Sequence, residues 1–390
     1  MKNLIKMPQE NKTVYILGAG FSRPANYPLQ SEIIPSLQTL SLMDFASPDV
    51  ASEMDASNAA TEFIETAFPN ASPSLEDVFT LLDQAIHDEG FYNTNWRNLY
   101  DTRDSLKKAI WSLYKNKSGS NTKSDFYNYL AANLIKDRVS AGQSADPFSV
   151  ISLNWDTLLE DSLYGCIEKA KGLRKIDIDY CCRTTPLSNR GPHTPSINQK
   201  SRGIYNLKLL KLHGSVNWLH CPNCGLLYTS VGDSTASKYT LASKLECNNC
   251  ATRRYTGNTS GLPILEHFFV TPTFLKVFEN VHLKMIWHNA YHELSEASEV
   301  VFVGYSFPEA DYHLRALLKR SLKPSVKISV ILKSGNADKK QRYCNFFGKK
   351  NIGFNLLGVE NYFYRKYGKP RLRACMNKIS NLLKHKKANP

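Results

Sequence analysis

Short apolar runs that stop at glycine or polar residues recur along the chain. Runs of this length, without alternating polar residues, are typical of strands buried on both faces of a parallel sheet. The pattern therefore predicts strands at residues 13–17, 148–153, 206–212, 300–303 and 326–332.

Helical spacing of apolar residues fills the stretches between these runs. Residues 31–140 are predicted to be mostly helical, and one helix there begins after Ser74 as an N-cap, with two acidic residues in its first turn. Further helices are predicted at 281–295 and 310–322. Strands that alternate with helices indicate an α/β fold. We predict a Rossmann-like parallel sheet flanked by helices, with residues 31–140 as a helical insertion.

Four of the predicted strands end in turns suited to holding a ligand. In open α/β sheets, ligands bind beyond the carboxyl ends of the strands, which lie on one edge of a parallel sheet. We therefore expect these turns to surround one crevice. They contain Gly18, Asn154, His213 and Gly304.

The segment Gly18-Ala19-Gly20-Phe21-Ser22 follows the first strand and precedes a predicted helix. Its glycines allow a tight turn and close approach of the backbone to a pyrophosphate, and a helix N-terminus adds N–H groups and a favourable dipole. The third glycine of the full dinucleotide fingerprint is missing. On its own, the segment is compatible with a nucleotide loop or with a simple tight turn.

Polar residues at the next two strand ends have two interpretations each. Asn154 and Asp156 can bind amides or hydroxyls of a ligand, or they can form an Asx turn that caps a helix beginning near Thr157. His213 is suited to general-base catalysis near neutral pH, and Gly214 lets a ligand come close. A single histidine more often has a structural role, and this motif alone does not decide between the two.

Two close cysteine pairs, separated by 22 residues, predict a metal site. In such an arrangement each pair holds one face of a tetrahedral zinc ion, and four thiolates leave no open coordination position. We therefore expect one structural zinc in a small zinc-ribbon insertion at residues 219–262; the alternative is four free thiols. The four cysteines are Cys221, Cys224, Cys247 and Cys250.

Composition is that of an ordinary globular protein, with 42% hydrophobic and 22% charged residues. No apolar run approaches the roughly 18–20 residues that span a bilayer. The N-terminus lacks the apolar region of a secretory signal, so the nine cysteines are expected to be metal ligands and buried thiols. We expect a cytoplasmic protein without membrane contact.

The net charge of +14 is concentrated near the C-terminus. Residues 315–390 hold 20 Lys and Arg against two acidic residues, and the rest of the chain has a net charge of about −4. Such a region can contact nucleic acid or an acidic partner, or it can be a solvated surface.

The order of these motifs resembles that of the sirtuin superfamily. Over residues 13–332, a GAG-x-S loop is followed by an Asn-x-Asp turn, a His-Gly turn, a four-cysteine insertion and a Gly-x-Ser turn. The resemblance implies an NAD-binding catalytic domain at residues 1–335. It also implies a basic C-terminal segment at residues 336–390 that packs on this domain or on a partner.

The same resemblance implies roles for individual residues. Asn154 and His213 are implied to be catalytic, and Asp156 is implied to lie on the nicotinamide side of NAD+. The other implied NAD+ contacts are Gly18, Ala19, Gly20, Phe21 and Ser22 in the first loop, with Gly304 and Ser306 on the adenosine side.

The chain departs from protein-deacylating sirtuins in two places. Those enzymes carry a G-I-P-x-F-R stretch where residues 26–30 here read Asn-Tyr-Pro-Leu-Gln, and an FGE segment where residues 270–276 differ. Residues 304–311, 154–160 and 75–78 instead resemble the divergent sirtuin-like domains of bacterial antiphage systems, some of which hydrolyse NAD+.

The resemblance therefore implies an NAD+ glycohydrolase that releases nicotinamide and ADP-ribose and depletes NAD+ during phage infection. Two alternatives are an NAD-dependent protein deacylase and a non-catalytic sensor of NAD or ADP-ribose. A toxic NAD+ hydrolase needs control, which implies a homo-oligomer or a regulatory partner such as a HerA-type ATPase or a short Argonaute. The basic C-terminal region is a candidate surface for that partner or for nucleic acid.

Overall fold

The computed structural model describes most of the chain. The described residues are 11–39, 50–90, 96–119, 125–169, 176–187, 204–229, 245–253, 262–273, 280–309, 311–333, 337–349, 351–368 and 371–385.

A seven-stranded sheet, parallel throughout, forms the centre of the fold. Its strands are β1 (Thr13–Leu17), β2 (Phe148–Ser152), β3 (Ile176–Asp179), β5 (Tyr205–Lys211), β9 (Glu299–Val303), β10 (Lys327–Ile331) and β11 (Ile352–Asn355). Their order across the sheet is β11-β10-β9-β1-β2-β5-β3. The α/β prediction is confirmed, and the five predicted strands match the observed bounds within one residue.

The edge strands β3 and β11 are absent from the sequence prediction. β3 alternates polar and apolar residues, and β11 contains Gly353, so neither shows a continuous apolar run. An edge strand has fewer neighbours to bury its side chains, which weakens the apolar pattern.

A second sheet has four strands in the order β4-β7-β6-β8. These are β4 (Thr185–Pro186), β6 (Gly214–His220), β7 (Leu227–Thr229) and β8 (Glu266–Phe269). The cysteines lie beside it, but β4 and β8 come from outside residues 219–262. The predicted zinc insertion therefore shares its sheet with flanking segments.

Helices cover the main sheet and fill the predicted helical insertion. They are α1 (Ala19–Ser22), α2 (Gln30–Gln38), α3 (Val50–Ala67), α4 (Leu75–His87), α5 (Trp96–Gly119), α6 (Asp125–Ala141), α7 (Leu158–Lys169), α8 (Asn248–Arg253), α9 (Val281–Glu296), α10 (Tyr312–Ser321), α11 (Ala337–Phe347), α12 (Val359–Tyr367) and α13 (Leu372–His385). The Ser74 cap is confirmed, since its side chain accepts from the Asp77 N–H. Over the described residues, each helix is too short or too polar to cross a membrane.

The basic C-terminal segment is built into the fold. β11 extends the main sheet beyond residue 335, and α13 packs against α6. Tyr343, Phe363 and Ile379 from this segment are buried in the core. Its contact with nucleic acid or a partner remains a prediction.

A partly buried ion cluster lies at the amino ends of β1 and β2. The ammonium group of Lys12 is 2.6 Å from Asp146, 2.7 Å from Glu293 and 2.8 Å from Glu296. Lys208 lies 2.6 Å from both Asp146 and Glu293. Burial acts to raise the pKa of Asp146, but hydrogen bonds from the two lysines hold it below its ordinary value. The cluster ties α9 to the edge of the sheet opposite the predicted site.

Candidate active site

The strand order brings the four predicted turns together. β9, β1, β2 and β5 are neighbours and run in the same direction, so their carboxyl ends share one edge. A cavity of about 1050 Å³ opens there, and it is lined by Gly18, Asn154, His213 and Gly304 among others. The predicted convergence is confirmed.

The turns at Gly18 and Gly304 interlock through the backbone. The Gly20 N–H donates to the Gly304 carbonyl at 2.8 Å, and the Gly18 N–H donates to Val303 at 3.0 Å. Gly304 has a φ of +63°, and a Cβ there would lie 2.2 Å from the Phe21 nitrogen. Glycine is required at this position by both conformation and space. The two turns thus form one continuous wall of the cavity.

The helix after the first loop is shorter than expected. α1 has four residues and passes into a 3-10 turn at Arg23–Ala25, which ends at Asn26 with a φ of +61°. Pro24 lacks the N–H that would extend the helix further. A single turn has a small dipole, so the expected attraction of a full helix for phosphate is reduced.

Residues of the first loop have different environments. Gly18, Ala19 and Gly20 line the cavity, whereas the Phe21 ring packs edge-on against Tyr127 with 1% of its surface exposed. A contact between Phe21 and a nucleotide would therefore use its backbone.

A chain of hydrogen bonds joins the first loop to the Asn-x-Asp turn. The Asn154 amide nitrogen donates to the Gly18 carbonyl at 3.0 Å and to the Ser22 hydroxyl at 3.1 Å. That hydroxyl donates to Asp156 Oδ2 at 2.7 Å. Both amide hydrogens of Asn154 are thus engaged, which leaves Oδ1 to accept a hydrogen bond at the cavity.

Asp156 has the structural role that the sequence left open. Its Oδ1 accepts from the Leu158 N–H at 3.1 Å, so it caps α7, and its Oδ2 accepts from Ser22. The side chain is buried, and burial raises the pKa of its carboxyl group. The predicted nicotinamide contact would have to use a lone pair left on these oxygens.

His213 is oriented by the same turn. Its Nδ1 lies 3.2 Å from the Leu153 carbonyl oxygen. Because a carbonyl can only accept, this contact assigns the hydrogen to Nδ1 in the neutral ring and places the lone pair on Nε2. His213 lines the cavity beside Asn154, so a base and an acceptor face the same space.

Two residues missed in the sequence support this turn. The Lys211 ammonium donates to the Asp156 carbonyl at 2.5 Å and pairs with Glu160 at 2.8 Å. The Ser215 hydroxyl donates to the Trp155 carbonyl at 3.0 Å. Together with His213, which contacts the Leu153 carbonyl, these two residues bind three backbone carbonyls of the Asn-x-Asp turn from every second position of residues 211–215. Polar residues at alternate positions at the end of an apolar strand were the available signal.

A small chamber of about 100 Å³ adjoins the large cavity and shares Asn154 and His213 with it. Its walls include the aromatic rings of Tyr114 and Trp155. Gly304 and Ser306 line the large cavity and are not part of the chamber lining.

The departures from deacylating sirtuins reach this chamber. Pro28 and Gln30 line it from residues 26–30, and Val270 and Pro272 line it from residues 270–276. Of the latter stretch, residues 274–276 lie outside the described part of the chain.

The four cysteines form a cluster that fits a zinc ion. Their sulfur atoms all lie within 4.8 Å of one another, with Cys221–Cys250 at 3.7 Å and Cys224–Cys247 at 3.6 Å. Tetrahedral zinc with bonds of about 2.3 Å separates its ligands by about 3.8 Å.

Neighbouring donors also favour thiolates in this cluster. The Cys224 N–H donates to Cys221 at 3.4 Å, and the Asn223 amide donates to Cys250 at 3.6 Å. Such hydrogen bonds stabilise negative sulfur ligands. All four ligands are cysteines, so a bound zinc would hold the second sheet together and leave no position for a substrate.

No protein-family model matches the chain, and no curated protein matches it by sequence. Among solved structures, it is similar to a Sir2 homologue in complex with ADP ribose, with 12% identity, a TM-score of 0.39, and coverage of 97% of this chain and 94% of the other. A Sir2 homologue–NAD complex has 12% identity and a TM-score of 0.39, covering 95% and 90%. A Sir2–p53 peptide–NAD+ structure has 14% identity and a TM-score of 0.37, covering 91% and 90%. Values this low do not define a family.

Proposed function

We propose that the chain is an NAD+ glycohydrolase, which cleaves the nicotinamide–ribose bond to give nicotinamide and ADP-ribose. The observation that carries this proposal is the shared cavity, which joins two glycine turns to Asn154 and His213 at the ends of adjacent strands. Glycine turns at this edge allow a pyrophosphate to approach the backbone closely. The cavity of about 1050 Å³ is of the size expected for a large ligand.

The two ends of the cavity support one orientation of NAD+. The small chamber has aromatic walls and contains the reactive pair, so it would take the nicotinamide end. The large cavity is also lined by Gly304 and Ser306, which would take the adenosine side. This arrangement keeps the assignments implied by the motif order.

Hydrolysis at this site uses the groups already oriented there. Water forms a bond to C1′ of the ribose while the C1′–nitrogen bond breaks, and that electron pair neutralises the nicotinamide ring. Asn154 Oδ1 accepts a hydrogen bond from the water or from a ribose hydroxyl, and His213 Nε2 takes the proton that the water loses. Holding these partners in place lowers the activation barrier, by on the order of 7–11 kcal/mol for well-oriented reactants.

The test is nicotinamide release by purified chain, measured by chromatography. Replacement of His213 or Asn154 by Ala is expected to abolish release, while circular dichroism remains that of the wild type. His292→Ala is the matched control, because His292 is exposed on α9. Release that is unchanged in His213→Ala or Asn154→Ala would contradict the proposed roles.

The same preparation separates the alternatives. An acyl-lysine peptide that gives no deacylated product, while NAD+ is still consumed, supports hydrolysis. Deacylated peptide that forms faster than NAD+ is consumed without any peptide would identify a deacylase. Saturable NAD+ binding without any product would identify a sensor.

We further propose that this activity depletes NAD+ as an antiphage effector, controlled by self-assembly or by a partner subunit. The support is the resemblance of residues 304–311 to antiphage sirtuin-like domains. Turnover per chain is then expected to rise with protein concentration or with added partner. A fully active monomer at every concentration, unaffected by neighbouring gene products, would argue against such control.

A further inference from the structure

A buried carboxylate, that of Asp311, lies at the site. It precedes α10, and 8% of its surface is exposed. Its Oδ2 accepts from the Tyr305 hydroxyl at 2.6 Å. Its Oδ1 is buried and has no hydrogen-bond partner within the part of the chain that the structure describes.

Tyr305 fixes this carboxylate in place. Its backbone packs so closely on the first loop that a Cβ at Gly18 would lie 2.7 Å from the Tyr305 Cα. Its carbonyl accepts from the Tyr343 hydroxyl at 2.9 Å. Burial, together with the nearby Asp311 charge, raises the pKa of Tyr305 well above its ordinary value, so the hydroxyl stays protonated and donates.

Asp311 is placed where the two spaces of the site meet. It lines the small chamber with Asn154 and His213, and it also lines the large cavity with the glycine turns. A carboxylate oxygen that is removed from water without a donor is costly, and such atoms are uncommon in folded proteins. The position and the missing donor together point to a ligand that supplies an O–H or N–H.

We propose that Asp311 binds a hydroxyl of the nicotinamide-side ribose of NAD+ through Oδ1, and that its charge stabilises the sugar cation as the glycosidic bond breaks. This inference rests on the proposed function. A carboxylate only accepts, so it pairs with ribose hydroxyls and repels the phosphates. In NAD+, the ribose links the nicotinamide to the pyrophosphate, which matches the place of Asp311 between the chamber and the glycine turns.

The charge has a separate effect from the hydrogen bond. Positive charge develops on the sugar only in the transition state, so a fixed negative group that is itself buried, as Asp311 is, favours the transition state over bound NAD+. Removal of the charge is therefore expected to lower kcat more than it raises KM. A residue with only a structural role would not produce this pattern together with a dependence on one substrate hydroxyl.

The test compares Asp311→Asn, Tyr305→Phe and Glu309→Gln. Glu309 is the matched control, because it is an exposed carboxylate in the same segment. We expect Asp311→Asn to lower kcat about 100-fold and to weaken NAD+ binding by a smaller factor, seen as a smaller rise in KM, and we expect Tyr305→Phe to lower kcat about 10-fold. Glu309→Gln is expected to keep wild-type turnover. Urea unfolding checks that each variant folds. If Asp311→Asn does not fold, Tyr305→Phe serves as the second test, because it keeps the aromatic ring and removes only the hydroxyl that donates to Asp311.

Substrate analogues then identify the contact. NAD+ analogues that lack the 2′- or 3′-hydroxyl of the nicotinamide-side ribose are compared with NAD+ itself. Wild-type turnover of one analogue is expected to be at least 10-fold below its turnover of NAD+. In Asp311→Asn, the same analogue is expected to be turned over less than about threefold more slowly than NAD+. An equal loss in both proteins for each of the two analogues would overturn the proposal. Full turnover in Asp311→Asn would also overturn it.

Calorimetry with NAD+ separates this inference from the proposed function. If the wild type releases no nicotinamide but binds NAD+, the glycohydrolase proposal fails. Weaker binding in Asp311→Asn, but not in Glu309→Gln, then still supports the ribose contact, and unchanged binding overturns it. A wild type that neither binds nor cleaves NAD+ overturns both.

Discussion

Lys211 donates from its ammonium group to the backbone carbonyl of Asp156 at 2.5 Å. Its charge is balanced by Glu160 at 2.8 Å, and both side chains are almost fully buried. We expect Lys211→Met to lower the free energy of unfolding by about 3–5 kcal/mol, because Glu160 is left buried without its partner. Urea unfolding monitored by fluorescence measures this loss.

The same contact predicts an effect on turnover that is separable from stability. In the double variant Lys211→Met/Glu160→Leu, the buried carboxylate is gone, so we expect most of the stability to return. The donor to the Asp156 carbonyl is still missing, so nicotinamide release is expected to stay about 10-fold or more below wild type. Recovery of both stability and turnover would show that Lys211 serves only to balance Glu160.

The interlocked turns predict a severe effect of Gly304→Ala. The added Cβ would lie 2.2 Å from the Phe21 nitrogen and 2.3 Å from the Gly20 carbonyl carbon, at a φ of +63°. We expect loss of NAD+ binding by calorimetry and destabilisation by more than about 2 kcal/mol.

Gly165→Ala is the matched control for this substitution. Gly165 lies in α7, and no atom outside its own helix turns is within 4 Å of the Cβ that alanine would add. This change is expected to stabilise the fold by about 0.5–1 kcal/mol and to leave NAD+ binding intact. Tight NAD+ binding by Gly304→Ala would mean that the glycine turns are not part of the nucleotide site.

The parts of the site that were predictable are those where a local pattern implies a local structure. Gly18, Asn154 and His213 each follow an apolar run, and parallel strands align their ends. The alternating polar residues at the end of β5 mark Lys211, but they do not identify its two partners, which lie in a turn and a helix that are distant in sequence. The contact of Asp311 with Tyr305 depends on how the loop between them folds, and the pattern of apolar residues does not predict that.

The cysteine cluster predicts one zinc ion per chain. Elemental analysis of the purified protein is expected to find this ion. Cys247→Ser is expected to lose the ion and, with it, the near-ultraviolet circular dichroism of aromatic side chains in the second sheet. Cys344→Ser is the control, because Cys344 lies outside the cluster. A full zinc content in Cys247→Ser, or none in the wild type, would contradict the four-cysteine site.

The ion cluster around Lys12 predicts a pH-dependent contribution to stability. The pKa of Asp146 is held below its ordinary 3.8, so the unfolded chain binds a proton there more readily than the folded chain. The stabilisation is present above that ordinary pKa and is lost as the pH falls through the lower pKa of the folded state. Asp146→Asn is therefore expected to be less stable than wild type at pH 6, and this difference is expected to shrink below about pH 4.

Urea unfolding at several pH values measures this convergence. Glu309→Gln is the control, because Glu309 is exposed, and its difference from wild type is expected to stay near zero throughout. A constant gap between Asp146→Asn and wild type across the acid range would show that Asp146 acts through packing instead of charge.

The backbone hydrogen bond from Gly20 to Gly304 has a consequence for protein synthesis. A ribosome makes the first glycine turn early and the second only after most of the chain has been translated. A growing chain therefore carries Asn154 and His213 before the wall that completes their cavity exists. If the site consumes NAD+, translation itself delays that activity until the nascent protein is nearly finished.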